Sequence, residues 1–342
     1  MAYTAKQIAQ MIGVSQATLS LVINNKPGIS DRTREMVIQE LRDRGFEYLL
    51  TEPSETGLSG IKSSNIGFVV YRAGKKLLEY DSFFPLIMDG IERSAKENGY
   101  SISFITIDKD EIQEGIRRIN DAKCCGIVIF ATEMKEEDLL PFIESKLPFV
   151  LLDNHFNNYN INTVEVGNEQ GTYRAVRYLY ECGHRKIGYL RSDVDINSFL
   201  DRRKYALQAM HELGIKDPER YIFETGYPTE LAYEGMKKIL KEKKELPTAF
   251  LADNDLVAIG AMKACKEFGV RIPEDISFIG FDDRPVCFLS EPQLTTVAIP
   301  RDDFGAEAVR LLLRGINGDN IHIRCSICGK LIKRESVASI RH

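Results

Sequence analysis

From residue 65 to about residue 283 the chain alternates short apolar, β-branched runs with longer amphipathic stretches, and this alternation restricts its fold more than any other feature. NIGFVVYR, SISFITI, GIVIFAT and PFVLLDN read as strands; FPLIMDGIERSAKENGY, EIQEGIRRIND and EEDLLPFIES between them read as helices. Strands separated by helices of about 10–15 residues have no tight turn to pair through, so they predict a doubly wound parallel sheet with helices on its faces. A second set follows, with strands KIGYLRS, YIFETG, AFLADN and ISFIGFDD among the helices EQGTYRAVRYLYECG, LDRRKYALQAMHELG, ELAYEGMKKILKEK and DLVAIGAMKACKEFG. Two such sets predict two similar lobes facing a cleft, where ligands bind outside the carboxyl ends of the strands. The polar residues at those ends are Asp153 after FVLL, Asn254 after AFLAD and Asp282 after ISFIGF; Ser198 and Arg202 follow KIGYLRS. One arginine with two aspartates can clamp neighbouring hydroxyls, which suits a sugar or another polyol. An Asp at a strand end also commonly caps the next helix, and Asp255 and Asp283 are expected to do little more.

Residues 4–44 follow a different rule. Thr4 and Gln7 have the T-x-x-Q spacing of a capping box, and Ile8, Met11 and Ile12 make a one-sided apolar stripe. Gly13 supplies a left-handed stop, Val14 fills the corner, and Ser15 caps a second helix with Leu19, Val22 and Ile23 on its inner side. Two amphipathic helices joined by a short Gly-containing turn predict a helix-turn-helix, whose second helix enters the major groove of DNA. Its outward residues are Gln16, Ala17, Thr18, Ser20 and Leu21. Gln reads adenine through two hydrogen bonds, Ala or Leu meets a thymine methyl, and the hydroxyls suit phosphate oxygens. The plainer reading of the same pattern is a small helical domain with a solvated polar face.

Here the residues resemble a known family. VSQATLSLVINNKPGISDRTREMVIQELRDRGF is similar to the N-terminal module of the lactose/galactose-repressor (LacI/GalR) family of bacterial transcription regulators, with V-S-x-x-T-L-S-x-V-I-N, I-S-x-x-T-R-E and the closing G-F in order. The likeness resumes with FFPLIMDGIERSAKENGY, ECGHRKIGYL, FLADNDLVAIGAMKACKEFGVRIPEDISFIGFDD, PQLTTVAIPRDDFGAEAVRLLL and LIKRES. It implies an α/β chain: a helix-turn-helix DNA-binding domain at 1–46, a linker at 47–64, and a two-lobed core at 65–342 similar to periplasmic sugar-binding proteins. One lobe would take about 65–165 plus 297–325, the other about 166–296 plus 326–342. The residues expected at DNA are Thr4, Ser15, Gln16, Ala17, Thr18, Ser20, Asn24, Lys26 and Ser30. Ser198, Arg202, Asn254 and Asp282 match positions that hydrogen-bond a small effector, joined by Asp153, while Tyr71, Phe83, Phe84, Phe130 and Tyr227 lie near other cleft-lining positions. The implied partners are double-stranded operator DNA, a small effector of sugar type, and a second copy in a homodimer. No leucine heptads of the kind that tetrameric members carry are seen up to residue 342, so a dimer is the expected assembly. Rival readings are a family regulator controlled by a protein partner, and a cytoplasmic sugar-binding protein without a role on DNA.

Residues 47–64 depart from the family, which carries Y-x-P-N-x-x-A-R-x-L there as a hinge helix that wedges a Leu into the minor groove. This chain has Pro53, Gly57 and Gly60 among Ser and Thr, a loop-forming composition. Net charge is −5, and residues 1–50 hold six bases against five acids, so DNA affinity is expected to need two copies of the module. No apolar run approaches the roughly 18 residues of a membrane helix, and MAYTAKQ has no apolar signal region, so a cytoplasmic location is expected. Seven irregularly spaced Cys predict reduced thiols. Cys325-x-x-Cys328 has the spacing of half a zinc site or a redox pair, but no second pair completes it, with only Cys124, Cys125 and His322 as stray candidates, and it is read as structural. His184 is read as packing. With no nucleophile elbow, phosphate loop or dinucleotide fingerprint, neither catalysis, metal nor cofactor is expected.

Overall fold

A computed structural model describes residues 5–23, 28–44, 46, 64–74, 84–242 and 245–340. The chain divides into two compact units, Met1–Ile61 and Lys62–His342.

Among its described residues the first unit forms three helices, α1 (Ala5–Met11), α2 (Gln16–Ile23) and α3 (Asp31–Asp43). Ile8, Ala9, Ile12, Leu19, Val22, Val37, Leu41 and Phe46 pack into one small core. Met11, which the helical stripe places inside, is 40% exposed, while Ala9 is buried in that core.

In the second unit, the first sheet is built from β1 (Asn65–Arg72), α4 (Phe84–Glu97), β2 (Ser101–Asp108), α5 (Ile112–Asp121), β3 (Gly126–Phe130), α6 (Leu140–Glu144), β4 (Phe149–Leu152) and β5 (Asn162–Val166). The chain then passes to α7 (Asn168–Glu181), β6 (Ile187–Arg191), α8 (Asn197–Glu212), β7 (Ile222–Glu224), α9 (Thr229–Lys241), β8 (Ala249–Ala252), α10 (Asp255–Glu267), β9 (Ser277–Asp282), α11 (Val286–Leu289) and β10 (Thr295–Ala298). It returns with α12 (Arg301–Ile316) and β11 (Arg324–Ile327), and crosses a third time to β12 (Lys330–Ile332). The sheets have the orders β11-β5-β4-β3-β1-β2 and β12-β10-β9-β8-β6-β7. Among the described residues all strand pairings are parallel except β10 with β12.

The central strands β3, β8 and β9 are buried along their whole length, as expected where helices cover both faces of a sheet. Gly90 of α4 and Gly305 of α12 let those helices touch backbone to backbone, since a Cβ at either would collide with the other's main chain. One apolar cluster runs through both lobes, from Phe68 and Val128 to Tyr189 and Ile279. Strands β5, β10, β11 and β12 carry no readable alternation. They are three to five residues long and rich in Thr, Asn and charge, and exist because a neighbour distant in sequence completes their hydrogen bonding.

Candidate functional site

Two places in the molecule gather chemistry, one in each unit. In the first unit, Gly13 has φ +74°, a conformation open to glycine at no steric cost, and the Val14 amide returns to the Ala9 carbonyl at 3.0 Å. Ser15 then caps α2: its hydroxyl oxygen accepts from the Thr18 amide at 3.0 Å and pairs with the Thr18 hydroxyl at 2.8 Å. Ser30 does the same for α3, with the Thr33 amide at 3.2 Å. Leu19 and Val22 anchor α2, leaving Gln16, Ala17 and Ser20 exposed and Thr18 half-buried. Ser15, Thr18 and Ser30 therefore hold helix ends as well as facing outward. Thr4, Asn24, Lys26 and the linker 47–63 lie outside the described residues.

In the second unit, a cavity opens between the lobes at the carboxyl ends of the strands. Tyr71, Phe130, Thr132, Glu133, Asp153 and Val166 line it from the first lobe; Ile196, Ser198, Phe199, Arg202, Asn254, Asp282 and Arg284 line it from the second. Asp153 just after β4 and Asp282 at the end of β9 both have positive φ, +65° and +102°. Such backbone costs on the order of 1–3 kcal/mol and persists where surrounding contacts hold it, often in ligand clamps. For Asp282 the contacts are three arginines. Arg202 Nη2 lies 3.2 Å from Oδ1, Arg284 Nη2 lies 3.5 Å from Oδ2, and Arg301 donates to the carbonyls of Asp282 and Asp283.

Arg202 is 4% exposed and held from every side. Its Nε donates to Asn168 at 2.8 Å, Nη1 to the Asp253 carbonyl at 2.7 Å, and its guanidinium carbon lies over the Phe281 ring, 3.8 Å from the centroid. Asp253 accepts from the Tyr189 hydroxyl at 2.7 Å and the Ser192 amide at 2.6 Å, yet full burial pushes its carboxyl up to about 6. Asp255 accepts from Thr296 at 2.6 Å and the Arg284 amide at 2.7 Å; burial, then the charge of Asp282, raises it to about 7. On the opposite wall Asp153 accepts from the Thr132 hydroxyl at 2.6 Å, and Glu133 from the amides of Ala73 and Gly74 at 2.7 and 2.6 Å. Burial raises the Tyr71 phenol far above its usual range.

The lobes touch through polar pairs at the cleft. The Ser198 hydroxyl donates to Asp153 at 3.3 Å, and Asn197 Nδ2 donates to Asn154 Oδ1 at 2.7 Å and the His155 carbonyl at 3.1 Å.

Of the cleft candidates, Tyr71, Phe130, Asp153, Ser198, Arg202, Asn254 and Asp282 line this cavity together. Asn254 divides its work, because its Oδ1 also caps α10 through the Val257 amide at 3.1 Å. Tyr227 does not line it: the ring is fully buried one layer behind, its centroid 6.3 Å from that of Phe199, which occupies the wall. Phe83 and the Phe84 side chain lie outside the described residues. Asp255 does more than cap a helix, since it fixes Thr296 and the Arg284 backbone, and Asp283 pairs with Arg334 at 2.6 Å. Thr132, Glu133, Ile196, Phe199 and Arg284 were not legible as lining residues; the strand-end rule that picks out Asp282 would have reached Arg284 two residues later. His184 is a packing residue between the Thr248 hydroxyl at 2.9 Å and the Ala338 carbonyl at 3.1 Å. All seven cysteines are free thiols. Among the described residues, no helix is long and apolar enough to cross a membrane.

The comparisons with known proteins follow the same division. Residues 4–47 match the family model of bacterial regulatory proteins, lacI family, and residues 176–337 match that of a periplasmic binding protein-like domain. The transcriptional regulator GalS of Salmonella typhimurium is 31% identical over 98% of this chain and 96% of its own. The transcriptional repressor PurR of Haemophilus influenzae is 29% identical over 98% of this chain and 99% of its own. A solved lac repressor dimer, bound to operator and the anti-inducer ONPF, superposes with a TM-score of 0.72 at 23% identity, covering 99% of this chain and all of that one. By its helix-turn-helix, its two-lobed core and these relatives, the chain belongs to the lacI family of DNA-binding bacterial transcriptional regulators.

Proposed function

We propose that two copies of the chain bind operator DNA through the outer face of α2, and that a small polyhydroxylated effector in the cleft sets the strength of that binding. In this reading Gln16 and Ala17 meet base edges, the hydroxyls of Ser15, Thr18, Ser20 and Ser30 meet phosphates, and Thr4, Asn24 and Lys26 add contacts around them. The domain at 1–46 does the reading and the core from 65 onward does the sensing. The cleft holds no catalytic arrangement in this reading, and the protein works in the cytoplasm, where its DNA is.

The observation that carries the effector half is the polar seam between the lobes. Ser198 and Asp153 face each other across the cleft at 3.3 Å, with Arg202 and Asp282 beside them in the same cavity. A ligand whose hydroxyls bond both walls stabilises one arrangement of the lobes over others, and operator affinity then shifts by the difference in effector affinity between the two states. The lac repressor dimer carries both an operator and a small molecule, which supports the same division of labour here. Dimerisation is supported by apolar side chains left in solvent: Leu86 of α4 and Phe104 of the edge strand β2 in one lobe, Phe288 and Leu289 of α11 in the other. Phe288 and Leu289 are 65% and 75% exposed, a state that a partner surface would relieve.

The test is thermal unfolding of the full chain against sugars, sugar derivatives and nucleobases. A ligand at 100 times its Kd adds about 2.7 kcal/mol of stability. The proposal requires at least one such ligand whose effect disappears in Arg202→Ala. If none of them shifts the melting temperature, control by a protein partner becomes the better reading.

A further inference from the structure

The charges that line the cleft are unevenly shared between its walls. Three carboxylates, Glu133, Asp153 and Asp282, accompany two guanidiniums, Arg202 and Arg284. Both guanidiniums stand on the second lobe and converge on Asp282, Arg202 Nη2 at 3.2 Å from Oδ1 and Arg284 Nη2 at 3.5 Å from Oδ2. The first lobe supplies Glu133 and Asp153, each 9% exposed, and no cation to the lining. Glu133 is fixed from one side, because the amides of Ala73 and Gly74 both donate to its Oε2. Among the described residues no Lys or Arg pairs with it. Lys135 reaches instead to the Asp195 carboxylate at 3.5 Å, and Lys109 to Glu137 and Asp138 at 3.1 and 3.4 Å. Beside these acids the same wall is aromatic, with Tyr71 and Phe130 in the lining. The Tyr71 hydroxyl is sealed from solvent and completes no hydrogen bond. Burial first, then Asp138 and the charges of Glu133 and Glu137, push its phenol far above the usual range, as a negative field does. Carboxylates and the faces of aromatic rings both attract a cation, and an ammonium group adds three N–H donors.

We propose that Glu133 selects an effector carrying a protonated amine, so that the cleft takes an amino sugar or another amino polyol, with its ammonium on the first-lobe wall and its hydroxyls against Arg202, Asn254 and Asp282 on the second. The inference rests on the cleft being the effector site. The lining fixes the orientation: turned round, the ammonium would meet the two guanidiniums. A buried carboxylate is costly alone and stabilised by a paired cation. A neutral hydroxyl in the same place gives Glu133 one hydrogen bond and leaves its charge uncompensated, so the amine is what this wall distinguishes.

The experiment is calorimetric titration of the full chain at neutral pH with matched probes: glucosamine, glucose and N-acetylglucosamine, then galactosamine, galactose and N-acetylgalactosamine. An amino sugar is expected to bind roughly tenfold or more tightly than both of its neutral partners, the N-acetyl form separating charge from the presence of nitrogen. In Glu133→Gln, which still offers Ala73 and Gly74 an acceptor, the ratio of amino to neutral affinity falls toward one. Glu133→Asp, with its charge on a shorter arm, gives a ratio between the two. A neutral sugar binding as tightly as its amine, or an amine preference that survives Glu133→Gln, overturns the proposal and leaves the effector reading intact. Failure of every sugar, neutral and amino alike, overturns both. If the Gln variant does not fold, the wild-type comparison of amine with N-acetyl form decides the matter.

Discussion

The outer face of α2 and the cleft in the core both collect polar side chains, but they hold them in opposite ways. On α2 the polar contacts are local: Ser15 and Thr18 satisfy each other three residues apart, and Gln16 and Ser20 stand in solvent. In the cleft the partners come from far along the chain and are buried. Arg202 takes Asn168 34 residues before it and the Asp253 carbonyl 51 residues after it. A face whose polar groups are already solvated can be changed without disturbing the fold, and is open to a partner such as DNA. A buried network cannot be changed without leaving some group unpaired, so its function and its stability are tied together.

The largest effect that would sharpen this contrast is Arg202→Ala. It removes one of the two guanidiniums beside the buried Asp282 carboxylate and leaves Asn168 and the Asp253 carbonyl without their donor, and should cost about 3–5 kcal/mol of stability. The urea midpoint reads it; a change below 1 kcal/mol would place Arg202 in water rather than in the network. Next comes Asp255. Its carboxyl, raised from 3.8 to about 7, holds in the folded chain a proton that the unfolded chain releases. Its contribution to stability is therefore favourable below the ordinary carboxylate range and is lost as pH rises from 3.8 toward about 7. Asp255→Asn should flatten the fall in urea midpoint between pH 5 and pH 8, and an unchanged slope would break the account of that site. Third, Ser15→Ala deletes the cap of α2 and should cost about 1 kcal/mol, mostly in the helical unit. Smallest in stability is Gln16→Glu, which should fall within about 0.5 kcal/mol of wild type, as surface changes do. The same substitution places a carboxylate where a base edge should be, and should lower affinity for DNA by tenfold or more, about 1.4 kcal/mol.

The contrast also explains what could be read from the residues. The helical unit is legible because its determinants lie within a turn of each other: Gly13 at the stop, Ser15 and Ser30 at the caps, Leu19 and Val22 on the inner side. Even there Met11 is 40% exposed while Ala9 is buried, a choice that the local i, i+3, i+4 stripe does not make. In the core, alternation gives the long buried strands, and the strand-end rule brings Asp153, Asn254 and Asp282 to one cavity. It does not give β5, β10, β11 and β12, whose pairing partners lie elsewhere in the chain. It also cannot tell one layer of aromatics from the next. Phe199 lines the wall and Tyr227 stands behind it, a distinction made by packing.

The central claim is that one face reads DNA while a separate cleft senses a ligand, and the Gln16→Glu chain tests both halves at once. Wild type and variant are titrated by fluorescence anisotropy onto a duplex selected from random sequence by the wild-type chain, and melted in parallel with a ligand that stabilises the wild type. The account predicts at least a tenfold loss of duplex affinity with the ligand's thermal shift unchanged. Undiminished duplex binding, or a ligand response lost together with the DNA, would contradict it.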